Sequence, residues 1–384
     1  MTELERKALL PAGLRDVLPP FAAFEAEVVE RLMARFAASG HARIKAPLVE
    51  FEDGLLSGPG AAMTAETFRL MDPVSQRMMG VRADITPQIA RIASTRLRAA
   101  PRPLRLGYSG EVLRVKGTQL RPERQFAQVG AELIGAESAA ADAEMILLAV
   151  DALGSVGVAD LTVDLTIPPL VPTLLDAAAI DEGPRVALRE ALDHKDSAAV
   201  AANGGAAADI LRTLVEAAGP ADHCFAVLEG LDLPGAAALE RDRVGEVLER
   251  LRDAAPTLTI TLDPVENRGF EYHSGVSFTL FPVASRGELG AGGRYRAAGV
   301  GESEPATGFS LYLDTILRVL PEPESPARIY LPVGTDTAVA QRLRGDGWIT
   351  IGGLDPSANA GAESVRLECT HAWLGGEVQP VGRE

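Results

Sequence analysis

Two facing runs, one from Leu104 and one ending near Leu133, constrain the fold more than any other stretch. In the first, Leu104, Leu106, Tyr108 and Val112 are the apolar positions; in the second they are Phe126, Val129 and Leu133. A period of two argues for paired strands with one buried face. The residues between them, Val115 to Glu123, carry Gly, Thr, Gln, Arg and Pro, as a long hairpin loop should. From Arg82 to Phe126 there are ten basic and three acidic residues, a local balance of +7 in a chain whose balance is -16. Such an island points to a carboxylate or phosphate held by Arg forks on strands. The plainer reading is a basic surface face that pairs with an acidic subunit or with nothing.

The bulk numbers bound the class. A length of 384 residues implies two or three domains. Hydrophobic content of 47% with 23% charged residues is ordinary for a soluble globular protein. The net charge of -16 works against non-specific polyanion binding. Cys224 and Cys369 lie far apart and form no CxxC or zinc pattern, which fits a reducing, cytoplasmic setting. The opening M-T-E-L-E-R-K has no apolar region behind it, and no apolar run approaches the ~18 residues of a membrane span. There is no Walker A loop and no H-E-x-x-H, so neither metal nor cofactor is expected.

Along the chain, residues 1–20 read as a polar start and then a loop or arm packing by Leu10, Leu14 and Leu18. Residues 21–39 read as an amphipathic helix, with Phe21, Phe24, Val28, Leu32 and Phe36 at spacings of three and four. H-A-R-I-K-A-P-L-V-E-F then reads as a strand ending near Pro47. T-F-R-L-M-D and Q-R-M-M-G-V-R-A-D can form a hairpin about Asp72-Pro73. Helices are expected over 86–99 and 139–154, and a strand over 161–167. From about 168 to 253 Ala-rich helical segments follow one another between Gly and Pro breaks. Strand character returns at 257–262 and 276–281, and 309–320 reads as an apolar helix. P-E-P-E-S-P at Pro321–Pro326 is a linker to a small α/β unit at 327–384.

The residues of the central stretch carry a resemblance. R-Q-F-A-Q-V-G-A-E-L-I-G at Arg124–Gly135 is similar to the end of the second class II motif of histidyl-tRNA synthetase. V-R-A-D-I-T-P at Val81–Pro87 resembles that family's L-R-P-E-G-T segment. The likeness continues at R-G-F-E-Y-H-S-G, Arg268–Gly275, and at G-G-R-Y, Gly292–Tyr295. It covers roughly residues 10 to 320. It is closer still to the synthetase's paralogue family, the regulatory subunits of ATP phosphoribosyltransferase. The resemblance implies an α+β fold: a class II aminoacyl-tRNA synthetase-like antiparallel sheet flanked by helices. It also implies a helical insertion at about 168–253, and a C-terminal unit like a truncated anticodon-binding domain. Phe21–Phe51 looks like class II motif 1, which in that family builds a homodimer interface.

Free histidine presents an ammonium, a carboxylate and an imidazole. At the positions matching the family's motifs, Asp84 and Glu132 are expected to take the ammonium, with Thr86 and Gln128 as further hydrogen-bond partners. Arg114 and Arg268 are expected to take the carboxylate. Tyr272 and His273 stand where the family's aromatic pair contacts the imidazole, and Tyr295 is a pocket-lining candidate. Asp84 replaces a family Glu, and His273 replaces a Tyr.

The adenylating half departs further. Motif 2 carries R-x-E in the synthetases; here it is Arg114-Val115-Lys116. The triphosphate-binding Arg of motif 3 corresponds to Thr315, and a family Gly to Tyr312. Losing an Arg–phosphate fork removes a contact worth roughly 1.5–3 kcal/mol. Phe126, which could stack an adenine, is kept, which leaves weak nucleotide binding open.

The resemblance therefore implies a non-catalytic regulatory subunit with no tRNA partner. Such a subunit dimerises and joins a short catalytic ATP phosphoribosyltransferase subunit in a hetero-octamer. It would be needed for activity and for feedback by L-histidine in histidine biosynthesis. An active histidyl-tRNA synthetase is the alternative.

Overall fold

The computed structural model describes residues 8–117, 121–266, 272–283, 287–298, 303–323, 326–356 and 359–381. The chain divides into two compact units, Met1–Pro321 and Glu322–Glu384.

Helix α1 spans Phe21–Ala38 and buries Val28, Leu32, Met33 and Phe36, the stripe that its spacing predicts. It stops where Gly40 takes a left-handed φ of 83°. The arm before it is a correction. Leu10 is 48% and Leu18 66% exposed, so of the three expected packing residues only Leu14 is half-buried. The strand expected over the next residues is two short strands in different sheets, β1 (Ala42–Ile44) and β2 (Val49–Phe51). Pro47 lies between them and cannot donate to a ladder. The hairpin about Asp72 forms from β3 (Phe68–Met71) and β4 (Met78–Val81). Asp72 closes its turn by accepting the amides of Val74 and Ser75, each at 3.1 Å.

Helix α2, Thr86–Thr95, opens with Pro87 in its first turn. Strands β5 (Leu104–Leu113) and β6 (Gln125–Ile134) pair antiparallel from Leu104↔Ile134 to Leu113↔Gln125. Helix α3, Ala139–Val156, follows with Ser138 as its N-cap. Then come β7 (Leu161–Thr166), β8 (Gly219–Pro220), β9 (Thr259–Asp263) and β10 (His273–Pro282). Between β7 and β9 lie helices including Leu170–Ala177, Glu182–Asp193, Ala208–Ala217 and Gly235–Ala254.

Strands β11 (Gly290–Ala297) and β12 (Glu304–Tyr312) complete the sheet. Neither has a legible sequence signal. The helix expected over 309–320 begins only at Leu313, as α4 (Leu313–Val319), because its first four residues belong to β12. A-T-G-F-S-L-Y is buried on both faces, so it lacks the alternation of a half-exposed strand. Among the described residues the sheet has nine strands, in the order β1-β5-β6-β12-β11-β10-β7-β9-β8. Its centre, β5 through β10, is antiparallel throughout. On one face α1 meets β12, where the ring of Phe36 stands edge-on to Phe309 at 5.5 Å.

The second unit has strands β13 (Arg328–Leu331), β14 (Ile349–Gly352), β15 (His371–Leu374) and β16 (Glu377–Pro380). Their order is β14-β13-β15-β16, with β16 the antiparallel member. Helices Thr337–Gly345 and Ala360–Arg366 complete it. Among the described residues no helix is long and apolar enough to cross a membrane.

Candidate functional site

The central strands bring one carboxyl into the protein interior. Glu132, on β6, is 1% exposed. Its Oε2 accepts the Tyr295 hydroxyl of β11 at 2.9 Å, and its Oε1 accepts the Tyr108 hydroxyl of β5 at 3.3 Å. Glycines make this possible. Gly308 of β12 stands in register with Glu132, and a Cβ there would overlap the carboxylate. Gly130 leaves the same kind of space for the Tyr108 hydroxyl. Burial pushes the Glu132 carboxyl up to about 8, and the nearby Asp84 carboxylate pushes the same way. Hydrogen bonds from Tyr295, Thr86 and Tyr108 only partly offset this.

A polar network continues outward. Thr86 Oγ1 lies 3.1 Å from the Tyr108 hydroxyl, which lies 3.0 Å from Ser310 Oγ. Gln128 Nε2 donates to Ser310 Oγ at 2.6 Å and to Asp84 Oδ1 at 3.2 Å. The Thr86 amide also donates to Asp84 Oδ1, at 2.7 Å, and the Ile85 amide donates to Gln128 Oε1 at 2.9 Å. Asp84, Thr86, Tyr108, Gln128 and Ser310 thus orient one another.

Above the carboxyl is a small cavity lined by Thr86, Glu132, Tyr272, His273, Tyr295 and Ser310, among others. It measures about 20 Å³, room for one water. The rings of Tyr272 and His273 lie 4.0 Å apart, tilted by 34°, and Tyr272 meets Tyr295 edge-on at 6.3 Å. Tyr272 is 45% exposed.

Of the residues that the sequence singles out, Thr86, Glu132, Tyr272, His273 and Tyr295 line this cavity. Asp84 and Gln128 stand one hydrogen bond behind it. Arg114 lies to one side: its Nε is 3.4 Å from the Ala83 carbonyl, and its guanidinium sits 5.3 Å over the Phe126 ring. Arg268 lies outside the described residues. Sequence reasoning missed Tyr108, read only as a buried strand residue, and Ser310, read as helical.

The basic island serves mostly to tie the chain to itself. Arg91 pairs with Glu50, Arg102 with Glu304 and Arg105 with Glu144. Arg82 donates to the carbonyls of Glu111 and Ala46. The expected fork for a foreign anion is therefore largely spent on internal carboxylates and carbonyls.

The space beside Phe126 is also filled from within. Tyr312 stands edge-on to Phe126 at 5.9 Å. The guanidinium of Arg121 lies 3.8 Å over Tyr312 and 5.0 Å from the Phe126 ring. Arg121 is held there by Asp314 at 3.2 Å and Glu288 at 3.3 Å. Thr315, 5% exposed, offers no cation.

The histidyl-tRNA synthetase family model matches residues 13–316. An ATP phosphoribosyltransferase regulatory subunit of Rhodospirillum centenum is 57% identical over 374 residues, covering 97% of this chain and 96% of that one. One from Gluconobacter oxydans is 43% identical over 380 residues, covering 99% of each. Among solved structures, an ATP phosphoribosyltransferase regulatory subunit/histidyl-tRNA synthetase from Bacillus halodurans aligns with a TM-score of 0.81. It is 23% identical and covers 93% of this chain and 96% of its own. A histidyl-tRNA synthetase from a Nostoc species aligns with a TM-score of 0.74 at 18% identity, covering 98% and 97%. At those identities the structures speak to the fold alone, the class II synthetase-like sheet flanked by helices. The sequence identities reach further: the chain belongs to the family of ATP phosphoribosyltransferase regulatory subunits, built on a histidyl-tRNA synthetase-type domain.

Proposed function

We propose that this chain is the histidine-sensing, non-catalytic partner of a short catalytic ATP phosphoribosyltransferase subunit. One observation carries the proposal. A buried carboxyl, Glu132, held by two tyrosine hydroxyls, sits beneath an aromatic pair, Tyr272 and His273. A free amino acid's ammonium suits the carboxyl, and its imidazole suits the rings. Asp84, Thr86 and Gln128 set the carboxyl's surroundings, and Arg114 and Arg268 are assigned to the ligand's carboxylate.

The chain pairs with itself through Phe21–Phe51 and with the catalytic subunit in a hetero-octamer, in the cytoplasm. The C-terminal unit is a shortened relative of an anticodon-binding domain. Aminoacylation is the weaker reading. The Phe126 face is covered by Arg121 and Tyr312, and Lys116 and Thr315 replace the groups that hold ATP in the synthetases.

The test is a histidine titration of the mixed complex. Glu132→Gln keeps the shape and removes the charge. A charge-assisted bond of roughly 1.5–3 kcal/mol is weakened or lost, about 10- to 150-fold in affinity. Feedback couples this site to a distant one, so inhibition shifts to higher histidine by a similar factor. Uninhibited activity and assembly survive. An unchanged inhibition curve would mean that histidine regulates elsewhere.

A further inference from the structure

The face of the sheet opposite the cavity holds a buried ion pair. Arg294 and Asp142 are each 1% exposed. Arg294 donates to Asp142 from Nε at 3.2 Å and from Nη2 at 2.8 Å. The same guanidinium donates to the Ser138 carbonyl at 2.8 Å and the Ala136 carbonyl at 3.2 Å. Thr307 Oγ1 donates to Asp142 Oδ1 at 2.7 Å. The cluster therefore joins β11, β12 and the first turn of α3, where a helix N-terminus favours a carboxylate. Space for it is also provided: a Cβ at Gly275 of β10 would lie 2.7 Å from Arg294 Cδ.

A buried pair of this kind contributes little net stability compared with apolar residues of the same volume. What it does supply is register. Arg294 and Thr307 are directly paired across β11 and β12. Successive strand residues face opposite ways, and a slip of one residue exchanges the faces. The sequence neighbours of this pair are Tyr295 and Gly308. Tyr295 donates to Glu132, and Gly308 makes room for it. Hence the two features that set the Glu132 carboxyl are each one residue away from the ion-pair cluster.

We propose that Arg294, Asp142 and Thr307 are positioning residues for Glu132, acting through Tyr295 and Gly308. The inference rests on the reading that this pocket takes histidine, and it deepens that reading.

Thr307→Val is the mild probe: it keeps volume and the ion pair and removes one hydrogen bond. Histidine binding to the full chain is measured by calorimetry for wild type, Thr307→Val, Tyr295→Phe and the double variant. Thr307→Val should weaken binding by about 5- to 10-fold, Thr307→Ser should restore it, and in the Tyr295→Phe background the valine should change binding by less than about twofold. Independent, additive losses, or unchanged affinity with only a lowered melting temperature, would overturn the proposal.

A second readout does not need ligand. The Glu132 carboxyl infrared band, assigned by difference from Glu132→Gln, should shift in Thr307→Val and in Arg294→Lys. An unmoved band would overturn the positioning role. If the wild-type chain binds no histidine while the band shifts, the histidine reading falls and the positioning role stands.

Discussion

Tyr295 and Glu132 share a hydrogen bond of 2.9 Å although a whole strand separates them. Tyr295 belongs to β11 and Glu132 to β6, with β12 between. The bond passes over Gly308, the one β12 residue paired with Glu132. Any side chain at 308 would stand where the carboxylate is. The site is thus built on a missing side chain as much as on those present.

Gly308→Ala tests that relationship. The new methyl must push Glu132 aside, and overpacking of this kind costs about 1–3 kcal/mol of stability. Melting temperature should fall, and histidine affinity should fall at least as far as in Glu132→Gln. Calorimetry that returned wild-type affinity for the alanine variant would show that the carboxyl's position is irrelevant to binding.

The titration of Glu132 makes a pH prediction. Its folded value is raised from 4.5 to about 8, with burial the largest cause. The folded chain therefore holds a proton that the unfolded chain releases. That contribution to stability is fully present below pH 4.5 and is lost as the pH rises to about 8. Melting temperature of the ligand-free protein should decline more across this window in wild type than in Glu132→Gln. A ligand ammonium favours the carboxylate, so histidine binding expels the proton. Affinity should rise with pH up to about 8, by at most about tenfold per unit, and the glutamine variant should lack that component. Parallel slopes for the two proteins would remove Glu132 from the titration.

The filled space beside Phe126 predicts an inert adenylation site. Neither wild type nor Tyr312→Gly should support histidine-dependent ATP–pyrophosphate exchange. The glycine uncovers part of Phe126, yet Thr315 still supplies no phosphate-binding cation. Robust exchange by the wild-type protein would falsify the regulatory reading.

Self-association is expected through the motif 1-like segment. Within that segment the large apolar side chains of Phe21 and Leu48 are each 48% exposed. Light scattering should give a dimer for the wild-type chain and a monomer for Phe21→Asp. A dimer that tolerates the aspartate would place the interface elsewhere.

Much of this was readable in the chain itself where the signal is local. The 3.6-residue spacing of Val28, Leu32 and Phe36 determined α1, and alternation about Leu104, Leu106 and Tyr108 determined β5. Motif residues marked Thr86, Glu132, Tyr272, His273 and Tyr295, which the fold brings around one cavity. Strands β11 and β12 were not readable. Their glycines have poor strand propensity, and β12 is held by a ladder to β6, far away in sequence. The arginine island looked like a site for a foreign anion, yet its partners Glu50, Glu144 and Glu304 lie on other elements. Arg121 and Tyr312 are 191 positions apart, and only the pairing of β12 with β6 stacks one on the other. Periodicity is a property of neighbours along the chain, so it determines elements. Which charges are neutralised, and which cavities stay open, depends on contacts between distant strands, and these exist only once the strands have paired.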